Sequence, residues 1–207
     1  MMAAKFITVE GIEGVGKSTH IDAICAGLRE RGIEAVATRE PGGTRLGDHI
    51  RALLLDNSMA AMCPDTELLL IFAARAEHLR QIVWPALAAG RWVVCDRFTD
   101  ATYAYQGAGR GVPVQRIAEL EQWVQEDFRP DYTLLLHAAA GTALSRIKSR
   151  GGEDRFERED PDFFVRVQRA YLERAAREPQ RFHVIDANGS LDEVHRQIAA
   201  VTQTLTA

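Results

Sequence analysis

Residues Gly11-Ile12-Glu13-Gly14-Val15-Gly16-Lys17-Ser18, with Thr19 after them, fit the spacing G-x-x-x-x-G-K-S/T of a phosphate-binding loop. Glycines leave backbone N–H groups free to converge on phosphate oxygens. The Lys17 ammonium can reach the β and γ phosphates of a nucleoside triphosphate, and the Ser18 hydroxyl can sit on Mg²⁺. A glycine turn with an incidental lysine is the plain alternative, and the flanks argue against it. Lys5–Glu10 reads as a buried strand, and Ser18–Arg31 as an amphipathic helix with Ile21, Ile24, Cys25 and Leu28 on one face. Strand, glycine loop and helix N-terminus in that order aim amides and the positive end of a helix dipole at an anion.

Further charged residues stand where strands are predicted to end. Glu34–Thr38 reads as a strand leaving into Arg39-Glu40-Pro41-Gly42-Gly43, and Arg91–Arg97 as another ending in Asp96-Arg97. Ligands of open parallel sheets collect at the carboxyl ends of the strands. There Asp96 can hold a metal-bound water and Arg97 a second phosphate. Asp65–Ala89 reads as a long apolar helix in which Arg75 needs a partner, because an unpaired buried guanidinium is costly. Phe72, three residues earlier on the same face, could stack on a planar ligand, although a phenylalanine there also suits the core. Phe98–Gly111, with Thr102, Tyr103, Tyr105 and Gln106, reads as a glycine-rich recognition loop for a base and sugar, or as a plain loop. Lys148–Asp160 is a charge run with two glycines, an exposed segment on which Arg150, Arg155 and Arg158 could close over phosphates.

The elements that must position these groups follow in alternation. Helices are predicted at Leu46–Leu55, 113–127, Gly141–Ser149, Asp162–Arg177 and Leu191–Leu205, and strands at Asp131–Leu136 and Phe182–Ile185. Strands alternating with helices imply an α/β fold, a five-stranded parallel sheet with helices on both faces. A chain of 207 residues, 46% of them hydrophobic, can bury one core, so a single domain over 1–207 is expected. The formal charge of −4 argues against nucleic-acid binding. Three cysteines without a C-x-x-C pair suggest neither zinc nor disulfides and fit a reducing cytoplasm. The start runs straight into the first strand without a signal peptide, and no apolar run is long enough to cross a membrane.

With these motifs in order, the sequence resembles the bacterial thymidylate kinases over nearly its whole length. Arg39–Gly43, Ala73-Ala74-Arg75, Asp96-Arg97-Phe98 and Tyr105-Gln106-Gly107 are more particular to that family than the phosphate loop. The resemblance implies a P-loop kinase core and the reaction of ATP with dTMP to ADP and dTDP, with Mg²⁺, in a homodimer with an Arg-rich lid at 148–160. It implies that Gly11–Thr19 hold the ATP phosphates and that Ser18 and Asp96 serve the metal. Lys17, Arg97, Arg150 and Glu13 are the implied catalytic set, with Arg150 reaching from the lid. Arg39, Arg51 and Arg97, with Glu40 alongside, would grip the dTMP phosphate, and Tyr105 would crowd the sugar 2′ position. Arg75, Thr102 and Gln106 would read thymine under Phe72, while Phe156 and Glu157 approach the acceptor. The family's stacking aromatic usually lies four residues before that arginine, where this chain has Ile71, so either the helix is locally rotated or Ile71 covers the base. Other readings are a kinase for a different deoxynucleoside monophosphate or a nucleoside, and a non-catalytic nucleotide binder. A GTPase is disfavoured by the lack of an N-K-x-D motif.

Overall fold

The computed structural model describes residues 3–59, 61–139, 141–143, 145–146 and 154–205. The strands β1 (Phe6–Glu10), β2 (Ala35–Arg39), β3 (Trp92–Asp96), β4 (Tyr132–His137) and β5 (Phe182–Asp186) form one parallel sheet in the order β2-β3-β1-β4-β5. Alternate side chains of a strand serve opposite faces. Ile7 and Val9 of β1, with Trp92 and Val94 of β3, join one apolar cluster with Ile21, Ile24 and Leu28 of α1 (Lys17–Glu30). Phe6, Val93 and Cys95 join another with Leu79, Val83 and Ala86. Helices on both faces leave every residue of β1 buried, Thr8 and Glu10 included, as in parallel strands covered on both sides. The register sets Val9 and Arg39 both opposite Asp96, so the ends of β1, β2 and β3 open on one rim.

Helices α2 (Arg45–Leu55) and α3 (Pro64–His78) pack together beyond that rim. The long helix expected at Asp65–Ala89 is one helical run with a wide π turn at Leu79–Val83 before α4 (Trp84–Ala88). Pro85 supplies a physical reason, because a proline ring removes a ladder N–H and crowds the carbonyl one turn back. The segment Phe98–Gly111 is not the loop its glycines suggest. It is helical, with α5 (Thr99–Thr102) running into a π-helical stretch, Tyr103–Gly109. Its glycines allow close packing instead: a Cβ on Gly109 would lie 2.5 Å from the Phe163 ring of the helix against it. That helix is α7 (Pro161–Arg177), which follows α6 (Val114–Gln125), and α8 (Leu191–Leu205) closes the chain against α1.

Residues 148–153 of the expected lid, Arg150 among them, lie outside the described residues. The remainder, 154–160, is a turn packed on the domain rather than an exposed run. Arg155 and Glu157 are buried, and Arg155 Nε donates to the Leu54 carbonyl at 2.7 Å. No described helix is long and apolar enough to cross a membrane.

Candidate active site

At the rim where β1, β2 and β3 end lies a cleft of about 370 Å³. On one side the phosphate loop turns through Gly11, Gly14 and Gly16, all at positive φ. At Gly11 no side chain is tolerated, since a Cβ would sit 2.4 Å from the Leu136 carbonyl oxygen. The loop delivers Lys17 as the first residue of α1, buried and folded back so that Nζ donates to the carbonyls of Gly11 at 3.0 Å and Ile12 at 2.9 Å. Burial, then the nearby Arg97 charge, lowers the Lys17 pKa to about 8.

Across from the loop, Asp96 ends β3. Its Oδ2 lies 3.4 Å from Ser18 Oγ, while its Oδ1 is buried without a hydrogen-bond partner. A hydroxyl and a carboxylate oxygen left unsatisfied form a hard-oxygen pair suited to Mg²⁺, which takes one or two carboxylates and completes its shell with phosphate oxygens and water. No denser cluster of acidic, His or Cys ligands occurs among the described residues.

Arg97 follows at φ 69°, a left-handed conformation rare outside glycine. This turn points its guanidinium back over the loop. Nη1 donates to the Gly11 carbonyl at 2.9 Å and the Tyr171 hydroxyl at 3.2 Å, and Nη2 donates to Glu13 Oε1 at 2.7 Å. The Tyr105 ring packs 4.7 Å from the Arg97 guanidinium, and its hydroxyl donates to Glu13 Oε2 at 2.5 Å. Burial pushes the Tyr105 phenol well above its usual range, so it stays a neutral donor.

Farther into the cleft, Arg75 finds the partner its burial demands. Nε donates to Glu40 Oε2 at 2.7 Å and Nη2 to Thr102 Oγ1 at 2.9 Å. The other Glu40 oxygen pairs with His78 Nδ1 at 2.8 Å. Burial pulls the Glu40 carboxyl upward, but the charge of Arg75 and the contact with His78 outweigh it, and the carboxyl lies below its usual value. Arg51 donates to the Pro41 carbonyl at 3.1 Å, and Gln106 Nε2 donates to Glu67 Oε1 at 2.8 Å.

The wall thus unites Glu13, Gly14, Gly16, Lys17, Ser18, Thr19, Glu40, Arg51, Arg75, Asp96, Arg97, Thr102, Tyr105 and Gln106, all singled out from sequence, with Phe156 and Glu157. Gly11, Ile12 and Val15 stand behind it, the first two as acceptors for Lys17. Two of the expected substrate-binding residues lie off this wall. Arg39 is exposed, tied to Asp48 at 3.1 Å and off the wall. Phe72 lies in the core under Arg75, with 4.8 Å between guanidinium and ring, while Ile71 forms the wall. One residue along a helix turns a side chain by about 100°, which moves the aromatic out of the cleft. Sequence reading missed Arg146, which lines the cleft and donates to the Ala187 carbonyl at 3.0 Å. It also missed Glu67 and His78, although both lie at helical spacing from Arg75, the residue whose need for partners was legible.

The thymidylate kinase family model matches residues 9–198. A thymidylate kinase of Vesicomyosocius okutanii is 54% identical over 205 residues, 99% of this chain and 100% of that one. One from Pseudomonas putida strain W619 is 57% identical over 196 residues, 95% of each. The crystal structure of thymidylate kinase from Ehrlichia chaffeensis superposes with a TM-score of 0.78 at 34% identity, covering 98% of this chain and 99% of that one. With a phosphate loop and an arginine-lined pocket facing each other across one cleft, and matches spanning nearly its whole length, this chain belongs to the thymidylate kinase family.

Proposed function

We propose that the chain transfers the γ-phosphoryl group of ATP to the 5′-phosphate of dTMP, giving ADP and dTDP, as a Mg²⁺-dependent homodimer in the cytoplasm. The cleft itself carries this reading: amides and an ammonium at one end face guanidinium groups and a base-sized polar pocket at the other. Two polyanions brought head to head repel each other, so fixed cations and alignment supply most of the acceleration.

In this reading the Gly11–Thr19 loop and Lys17 hold the donor's β and γ phosphates, Lys17 leaving its two carbonyl partners for them. Arg97 and Arg51 grip the acceptor phosphate so that its oxygen meets the γ-phosphorus in line with the departing ADP oxygen. Ser18 and Asp96 hold Mg²⁺, which when bound neutralises charge building on the phosphate oxygens. Tyr105 stands against the sugar, and Arg75, Thr102 and Gln106 meet the pyrimidine edge with Ile71 on its face. Arg150, outside the described residues, is the further cation this reading assigns to the transferring group. No covalent enzyme intermediate is required.

An ADP-release assay with dTMP, dUMP, dCMP and thymidine as acceptors tests the assignment, with dTMP the preferred substrate. Lys17→Ala and Arg97→Ala should each lower kcat by about 100-fold or more with circular dichroism unchanged. Near-normal turnover in either would remove that residue from the catalytic set, and nucleotide binding without transfer to any acceptor would favour a binder.

A further inference from the structure

Glu67 carries no part of the reaction described above, yet it is among the most buried charged groups of the molecule, with its side chain 1% exposed. It lies on α3 at the spacing 67, 71, 75, one face of a helix, behind Ile71 and Arg75, which form the cleft wall. Its Oε1 accepts from Gln106 Nε2 at 2.8 Å and from Arg110 Nε at 3.3 Å, and its Oε2 accepts from Arg155 Nη2 at 2.5 Å. Glu67 itself is not on the wall, whereas Gln106 is.

We propose that Glu67 is a positioning residue for substrate choice: by holding the nitrogen of the Gln106 amide, it turns the amide oxygen toward the base and so selects a pyrimidine whose N3 carries a proton. The proposal rests on Gln106 being a base-reading residue, as in the function given above.

The chemistry is one of donors and acceptors. A primary amide has two faces, an acceptor oxygen and a donor NH₂, and left free it can present either. A carboxylate bridged to guanidiniums offers acceptors alone, so a reversed Gln106 would set oxygen against oxygen between two buried residues. The amide oxygen is therefore the atom left for the ligand. Thymine and uracil donate from N3–H and satisfy it. Cytosine, whose N3 is an acceptor, leaves two buried acceptors opposed, the kind of mismatch a polar site rejects strongly.

In Glu67→Gln this one-way constraint is lost. Arg155 claims the remaining oxygen at position 67, the new amide NH₂ faces Gln106, and Gln106 turns over to present its own NH₂ to the base. The measurement is the ratio of kcat/KM for dTMP to that for dCMP in wild type, Glu67→Gln, Gln106→Leu and the double variant. Glu67→Gln should lower the ratio by about tenfold or more, through a higher KM for dTMP and a gain with dCMP. In the Gln106→Leu background it should change the ratio no further. A Glu67 that merely tied α3 to Arg155 would lower both substrates alike and leave the ratio intact, which overturns the proposal. Should Gln106→Leu collapse the ratio while Glu67→Gln leaves it intact, positioning falls and base reading stands. Should Gln106→Leu leave it intact, both fall. A dTMP complex of the wild-type protein provides a check that needs no variant: Gln106 Oε1 within hydrogen-bond distance of N3 supports the proposal, and Nε2 there overturns it.

Discussion

Lys17 gives up its proton more readily than an ordinary lysine. Burial beside Arg97 brings its pKa from the ordinary 10.5 to about 8, and triphosphate oxygens arriving at Nζ favour the charged form again. Well below pH 8 the free protein already holds the proton and almost nothing is exchanged. Between about 8 and 10.5 the complex holds more protons than the free protein, so nucleotide binding takes up as much as one proton and weakens as pH rises. Calorimetric titration with ATP at pH 9 in two buffers of different ionisation heat should reveal the uptake, and Lys17→Ala should abolish it. Residues at this scale were legible where chemistry is contiguous: the loop, Asp96-Arg97 and the need of Arg75 for a partner. They were illegible where a helix face decides. Phe72 and Ile71 differ by one position, and Glu67 in the first turn of α3 looks like an ordinary complement to the helix dipole.

Elements fix these side chains through packing more than through propensity. The stretch Tyr103–Gly109 carries Tyr105 and Gln106 into the cleft, and it can lie where it does because Gly109 presents no Cβ to Phe163, which is itself buried. Gly109→Ala should therefore destabilise the protein by about 1–3 kcal/mol, as overpacking does. Because the displaced stretch holds two acceptor-side residues, KM for dTMP should rise more than KM for ATP. Denaturant unfolding and initial rates check the two halves. Helix and strand periodicity gave the order of elements from the chain alone, and the register of β1, β2 and β3 then brings distant charged pairs together. The glycines of 107–111 misled because turn punctuation and close helix packing call for the same residue, and only the neighbour, Phe163, distinguishes them.

At the scale of the whole molecule, three neighbouring helices leave large apolar side chains uncovered. Trp123 and Val114 of α6 are 77% and 62% exposed, and Leu69 of α3 is 56% exposed. The helix α3 packs on both α2 and α6, and α2 adds the exposed Leu46 and Leu53. Apolar surface of this kind marks an interaction face, and a second copy of the chain is the occupant that the proposed homodimer calls for. Trp123→Glu should shift sedimentation from dimer toward monomer at micromolar concentration while leaving the far-ultraviolet spectrum unchanged. The five-stranded α/β fold was foreseeable from alternation, whereas these exposed positions were not, because scattered apolar residues become a surface only once helices are docked.

Arg97 has one further bearing. In the proposed function, the guanidinium that takes the acceptor phosphate is already paired with an anion of the chain itself, Glu13 at 2.7 Å. An arriving ligand must evict a tethered rival, which a small inorganic anion does poorly and a nucleotide, anchored also through its base, does well. On that reading the carboxylate would act as a bouncer at the door of the pocket, keeping stray anions out until a guest with a second handhold appears.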